Sequence, residues 1–245
     1  MATSSKPDSL HDWLQSPIGQ YMLAWEQRVF DAAVSDVFGF HALQLGLPEL
    51  DALQANRMPH RWLACDTGLH SMAQPRQVLL TNYEALPFAD ASLDLLVLPH
   101  TLELSYDPHA TLSEVSRVLV PEGQVVISGF NPGSLWGLQK MLRQGPPEVG
   151  GLIAPWRLRD WLKLLSFEVQ GSEMGCYRPI VQSRRWLRRW AWLDTAGRRS
   201  WPFLGSVYTL VAVKKVRGMR LLSAPFKRPA VAATAVVNTA SKGMK

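Results

Sequence analysis

The stretch from Ser92 to Phe130 constrains this chain more than any other. "SLDLLVLPH" is a near-continuous apolar run, the pattern of a strand buried on both faces. In "YDPHATLSEVSRVLVPEG", which follows, Asp107 is placed to cap a helix and Pro108 suits its first turn. Leu112, Val115, Val118 and Leu119 recur at helical spacing along one side. Pro121 and Gly123 read as the helix stop, and "QVVISGF" as the next strand. Strand, helix and strand joined this tightly form a right-handed crossover, so the segment predicts a parallel sheet with helices on both faces.

The rest of the chain extends that pattern. Residues 8–38 carry Leu14, Ile18, Met22, Trp25, Val29 and Ala33 at intervals of three and four, with Pro17 near one start, which predicts helices ahead of the first strand. "HALQLG" reads as a strand entering a turn at Gly46. Pro48 to Asn56 reads as a helix, with Leu50 and Leu53 on one side, and "HRWLAC" as the second strand. "DTGLHSMAQPR" is too short and too broken for a full crossover helix before "QVLLTN", so one covering helix is expected to be truncated or missing. Beyond Phe130 come a loop "NPGS", a helix over 135–143, a Gly/Pro-rich break and the helix "APWRLRDWLKLLS". Two last strands, "FEVQGSEMGC" and "GSVYTLVAVKK", flank a basic insert. The expected organisation is a helical lead-in over 1–37, a domain over 38–217 and a basic, disordered tail over 218–245.

Several function classes fall away. The longest apolar runs are far shorter than the roughly 18 residues of a membrane span, and the first residues show no basic-then-apolar leader, which makes the cytoplasm the expected compartment. Cys65 and Cys176 have neither metal nor disulfide spacing, and the six histidines are scattered singly. No G-x-S-x-G elbow and no G-x-x-x-x-G-K-S/T loop occurs, which removes serine hydrolases and P-loop enzymes. The net charge of +6 is concentrated in the last third.

Leu86-Pro87-Phe88, Leu93-Asp94, Glu114 to Leu119 and Pro121-Glu122-Gly123 together resemble the class I S-adenosylmethionine-dependent methyltransferases, in particular the small-molecule type 11 branch found in quinone biosynthesis. The resemblance covers about 45 residues closely, and the element order from Phe38 to Lys215 fits it as a whole. It implies an α/β, Rossmann-like, seven-stranded and mostly parallel sheet of order 3-2-1-4-5-7-6, with S-adenosylmethionine as cofactor and a small-molecule acceptor. The chain departs from the family at its first motif, D-x-G-x-G-x-G. That motif maps to Gln44-Leu45-Gly46-Leu47-Pro48, so one glycine survives and glutamine replaces the acid.

By position, the resemblance puts Gln44 and Gly46 beside the methionine part of the cofactor, with amides at the following helix start to meet its carboxylate. Asp66, after strand two, would accept from the ribose hydroxyls, although a turn cap explains it too. Asn82 would meet the adenine amine through its carbonyl oxygen or serve as a plain turn residue. Tyr83, Leu86 and Pro99 complete the implied cofactor set. Methyl transfer is an in-line displacement that needs alignment more than a protein nucleophile. A base, where one is required, would come from His100, Thr101, Glu103 or Asn131 at the ends of strands four and five. His100 ranks first and Glu103 second; equally, His100 can serve only to hydrogen-bond the loop after Pro99.

"SRRWLRRWAWLD", placed on one helix, puts Trp186, Leu187, Trp190 and Leu193 together, with Arg184, Arg185, Arg188 and Arg189 mostly opposite. The preferred expectation is a helix that packs its tryptophans on the sheet edge and solvates its arginines. A weak contact with an anionic membrane surface or with RNA is the other. A non-catalytic scaffold that keeps the fold and binds nucleic acid or membrane through this segment is accordingly the functional alternative.

Overall fold

The computed structural model describes residues 10–66, 77–141, 151–181 and 183–215. The expected tail and most of the return between strands two and three lie outside the described residues. Seven strands form one sheet: β1 (His41–Leu45), β2 (His60–Cys65), β3 (Gln77–Leu80), β4 (Leu93–Pro99), β5 (Leu119–Phe130), β6 (Phe167–Gly175) and β7 (Val207–Lys214). Their order is β3-β2-β1-β4-β5-β7-β6, as expected. The first five pair in parallel, and β7 runs antiparallel between β5 and β6.

The period of two along β4 explains why both faces are covered. Leu95 and Val97 point into one core with Met22, Phe30 and Val34 of α2 (Pro17–Val34). Leu96 and Leu98 point into the other, joined by Leu93 across a register shift, with Leu112, Val115 and Val118 of α4 (Pro108–Val118) and with Leu158 and Leu162 of α6 (Pro155–Leu164). Each fully buried leucine here contributes on the order of 2 kcal/mol of hydrophobic transfer. Asp107 caps α4 as expected, accepting from the amides of His109 and Ala110 at 2.9 and 3.1 Å.

The structure corrects several boundaries. Helix α4 ends at Val118, and β5 begins at Leu119 without waiting for Pro121. The residues between them and the regular ladder form an irregularity: Leu93 pairs with Leu119 but Leu95 with Gln124, and Glu122 takes a φ of 62°. Ahead of α2 lies α1 (Leu10–Leu14), and the break falls at Ser16, whose hydroxyl accepts from the Gly19 amide while Pro17 opens the next helix. A short α3 (Thr101–Leu104) follows β4, and α5 (Leu135–Met141) follows β5. The basic insert is two helices, α7 (Arg184–Arg189) and α8 (Trp192–Ser200), followed by a 3-10 turn, Pro202–Leu204. Between β1 and β2 there is no helix over 48–56; that span is a succession of turns.

Candidate functional site

At the C-terminal edge of the sheet, two strand ends open a polar cleft of about 400 Å3. Asp66 comes from the end of β2, Asn82 and Tyr83 from the turn after β3, and Ser105 and Tyr106 from the loop after α3; Glu84 completes the lining. Tyr83 is buried and its hydroxyl donates to Asp66 Oδ1 over 3.4 Å. Burial, with the Asp66 charge added, pushes the Tyr83 phenol well above its ordinary pKa, so it remains a hydrogen-bond donor. Asp66 itself is exposed. Asn82 Oδ1 accepts from the Glu84 amide at 2.9 Å, an Asx turn that engages the very atom expected to meet adenine. Asn82 is exposed, and its NH2 is the half that can donate.

The end of β1 is closed. Gln44 is fully buried, and its Nε2 donates to the carbonyls of Gly46, Leu47 and Leu50 at 3.1, 3.0 and 2.8 Å. Its Oε1 accepts from the Ala52 amide at 3.1 Å. The side chain thus satisfies turn carbonyls that a helix ladder would otherwise have paired, and the turns after Gly46 take the helix's place. Gly46 has a φ of 73°, and a Cβ there would come within 3.1 Å of the Tyr83 hydroxyl. Its amide already bonds Ala64 O at 2.7 Å. The helix-start amides expected for a carboxylate are therefore absent from this loop, and Gln44 is a loop-holding residue.

The end of β4 is closed as well. His100, buried with a φ of 53°, lies between two buried carboxylates. Nδ1 is 2.8 Å from Glu103 Oε2, and Nε2 is 3.0 Å from Glu26 Oε1 of α2. Its ring sits 4.1 Å from that of Phe130, centroid to centroid. Glu103 also accepts from the Phe130 amide at 2.7 Å. Burial pulls the imidazole pKa down, but the Glu26 charge and the Glu103 hydrogen bond outweigh it and hold His100 at about 10. At neutral pH both ring nitrogens therefore carry protons, and His100 is not the free base that its unperturbed pKa suggested. Thr101 is equally engaged, its hydroxyl donating to Leu45 O and so joining the ends of β1 and β4.

The other expected residues are structural. The Leu86 amide donates to Glu114 at 2.9 Å, and Arg117 holds the carbonyls of Leu86 and Phe88 at 3.0 and 2.9 Å. The E-x-x-R element of α4 is thus a clamp on the Leu86 loop, and the Arg117 hydrogen bond depresses the Glu114 carboxyl pKa. Pro99 is the buried last residue of β4, paired with Ser128. Asn131 donates to the carbonyls of Phe203 and Gly205, tying the β5 end to the 3-10 turn. Beyond it opens an apolar cavity of about 520 Å3, whose walls include Leu135, Leu138, Leu193, Trp201 and Leu204.

Residues 51–127 match the family model for a methyltransferase domain. Together with the sheet order, this decides the fold. The chain carries a methyltransferase-like domain of the class I fold. The "Uncharacterized protein YafS" of Escherichia coli is 35% identical over 161 residues, which are 64% of this chain and 65% of that protein. The malonyl-(acyl-carrier protein) O-methyltransferase 1 of Coxiella burnetii is 33% identical over 95 residues, 39% of this chain and 34% of its own. The chain thus spans less than two thirds of the curated relatives it matches. Among solved structures, an Archaeoglobus fulgidus SAM-dependent methyltransferase superposes with a TM-score of 0.57 at 18% identity, covering 80% of this chain and 94% of its own. The cyclase SpnF superposes with a TM-score of 0.51 at 14% identity, covering 80% and 82%. Such likenesses establish the fold, which hosts more than one chemistry.

The donor set fits one half of S-adenosylmethionine better than the other. An open carboxylate, a buried phenol and an amide NH2 around the β2 and β3 ends suit a ribose and a base, whereas the β1 turns offer no helix start for the methionine carboxylate. Tyr106, 98% exposed at the cleft, presents an aromatic face that sequence reasoning missed; its place just before the Asp107 cap was the available signal. Glu26 was missed for another reason, since a lone acid on an apolar helix face carries no local signal of its partner.

Proposed function

We propose that this methyltransferase-like protein binds S-adenosylmethionine with its nucleoside end in the Asp66 cleft and methylates a small-molecule acceptor. The observation that carries the proposal is the convergence of Asp66, Asn82 and Tyr83, from separate strand ends, on one polar cleft at the sheet's C-terminal edge. When bound, the cofactor supplies an electrophilic methyl group on a sulfonium. Asp66 accepts from the ribose hydroxyls, Tyr83 steadies Asp66, and the Asn82 NH2 donates toward the base. The Glu26–His100–Glu103 cluster sets the position of the β4 end and takes no part as a neutral base. The acceptor class is inferred from the small-molecule branch that the chain resembles, and from the carrier-bound malonyl group named for the Coxiella relative.

Calorimetric titration with S-adenosylmethionine and S-adenosylhomocysteine is the test. Saturable binding that is lost in Asp66→Ala supports the proposal. No binding at millimolar ligand, about −4 kcal/mol, sinks it. A fold that binds without transferring a methyl is favoured by one observation, the closed ends of β1 and β4, where Gln44 and His100 are buried and engaged within the protein. Binding without turnover across an acceptor panel would select that alternative.

A further inference from the structure

The basic insert packs only in part as expected. Leu187 is buried and Trp190 and Leu193 are half-buried, but Trp186 is 53% exposed. Trp192, which falls among the arginines, is 58% exposed, and Trp201 and Phe203 beyond α8 are 55% and 78% exposed. Arg184, Arg185, Arg188, Arg189, Arg198 and Arg199 are all exposed along the same segment. The segment's one acid, Asp194, faces inward: it accepts from Tyr21 and pairs with Arg178 at 2.8 Å. The exposed charged side chains of the segment itself are therefore all cations, interleaved with large apolar groups.

We infer that this α7–α8 face docks the protein on an anionic phospholipid surface. Charge complementarity calls for an anionic partner, and the apolar groups distinguish which one. Leu135, Leu138 and Leu204 are exposed aliphatic side chains on the rim of the 520 Å3 cavity, beside Trp201. Leucine gives no stacking platform to a nucleic acid base, whereas leucine, phenylalanine and tryptophan ringed by arginine suit the headgroup–acyl boundary of a bilayer. The apolar cavity is walled in part by Leu193, Gly197, Trp201 and Leu204 of the same segment. The inference does not depend on methyl transfer.

The test is co-sedimentation of the full chain with vesicles of phosphatidylcholine alone and of three parts phosphatidylcholine to one part phosphatidylglycerol. Arg185→Glu/Arg189→Glu and Trp201→Ser/Phe203→Ser are compared with the parent protein, and melting temperatures confirm that these surface variants fold. The parent protein is expected to sediment only with the anionic vesicles and to be released by salt. Each double variant should partition at least roughly tenfold less. Residues 216–245 also carry lysines and arginines, so full retention of binding by both variants would assign adsorption to that segment and overturn the inference. Equal sedimentation with both vesicle types, or none, would overturn it too. So would aromatic-dependent binding of oligothymidylate alongside vesicle binding that ignores the aromatics.

Discussion

Two halves of the same sheet edge solve the polar-group problem in opposite ways. At the ends of β1 and β4, Gln44 and the Glu26–His100–Glu103 cluster are sealed, and their polar atoms face one another or the backbone. At the ends of β2 and β3, Asp66 and Asn82 are open, as is Tyr106 across the cleft in the loop after α3. Residue types that read alike in a sequence thus divide by solvent access into those that hold the fold and those available to a ligand. Both Glu26 oxygens and His100 Nε2 are buried without a hydrogen bond among the described residues, joined only by the ion pair between Oε1 and Nε2, which shows what the sealed half costs.

The sharpest way to break this contrast is at His100. His100→Ala leaves two buried carboxylates without their cation and should destabilise the protein by about 3–5 kcal/mol, read by chemical denaturation; a loss typical of a surface site would mean the cluster is not sealed. The same group sets a pH dependence. Because the folded pKa of about 10 lies above the ordinary 6.5, its contribution is complete below about pH 6.5 and fades as pH rises through about 10. Melting curves across that alkaline window should fall more steeply for the parent protein than for His100→Gln.

Gln44→Ala comes next. It strands three turn carbonyls and one amide, with an expected loss of about 2–3 kcal/mol, and native-state hydrogen exchange should localise the opening to the turns after Gly46. On the open side, Asp66→Ala should move stability by no more than about 0.5 kcal/mol while weakening S-adenosylmethionine at least roughly tenfold; a variant that melts early instead would class Asp66 with the sealed group. The smallest effect concerns the ligand. If the β1 turns contribute little to the methionine carboxylate, methylthioadenosine should bind within about tenfold of S-adenosylmethionine, and a much larger gap would show that the closed loop opens on binding.

The succession of strands and helices was legible because it is written in local signals, whereas their order in the sheet came from the family resemblance. The apolar run of β4, the Asp107–Pro108 start of α4 and the alternation of β5 each depend on neighbours a few residues away. The E-x-x-R and L-P-F elements were legible as marks of a family but not as the clamp they form, since Arg117 reaches the carbonyls of Leu86 and Phe88 only once α4 has packed. Pro48 to Asn56 misled because Leu50 and Leu53 fit a helix equally well, and nothing local reveals that a glutamine in the preceding strand will take the turn carbonyls.

By itself, then, the sequence determined the succession of strands and helices and the two apolar cores, because hydrophobic periodicity and capping act over short distances; the strand order came with the resemblance. Only the tertiary structure decided the charge state of His100, which depends on a carboxylate delivered by α2, and the exposure of Trp186, whose helix α7 ends at Arg189. Both are set by the dielectric and the neighbours that packing creates, and neither exists until distant segments meet.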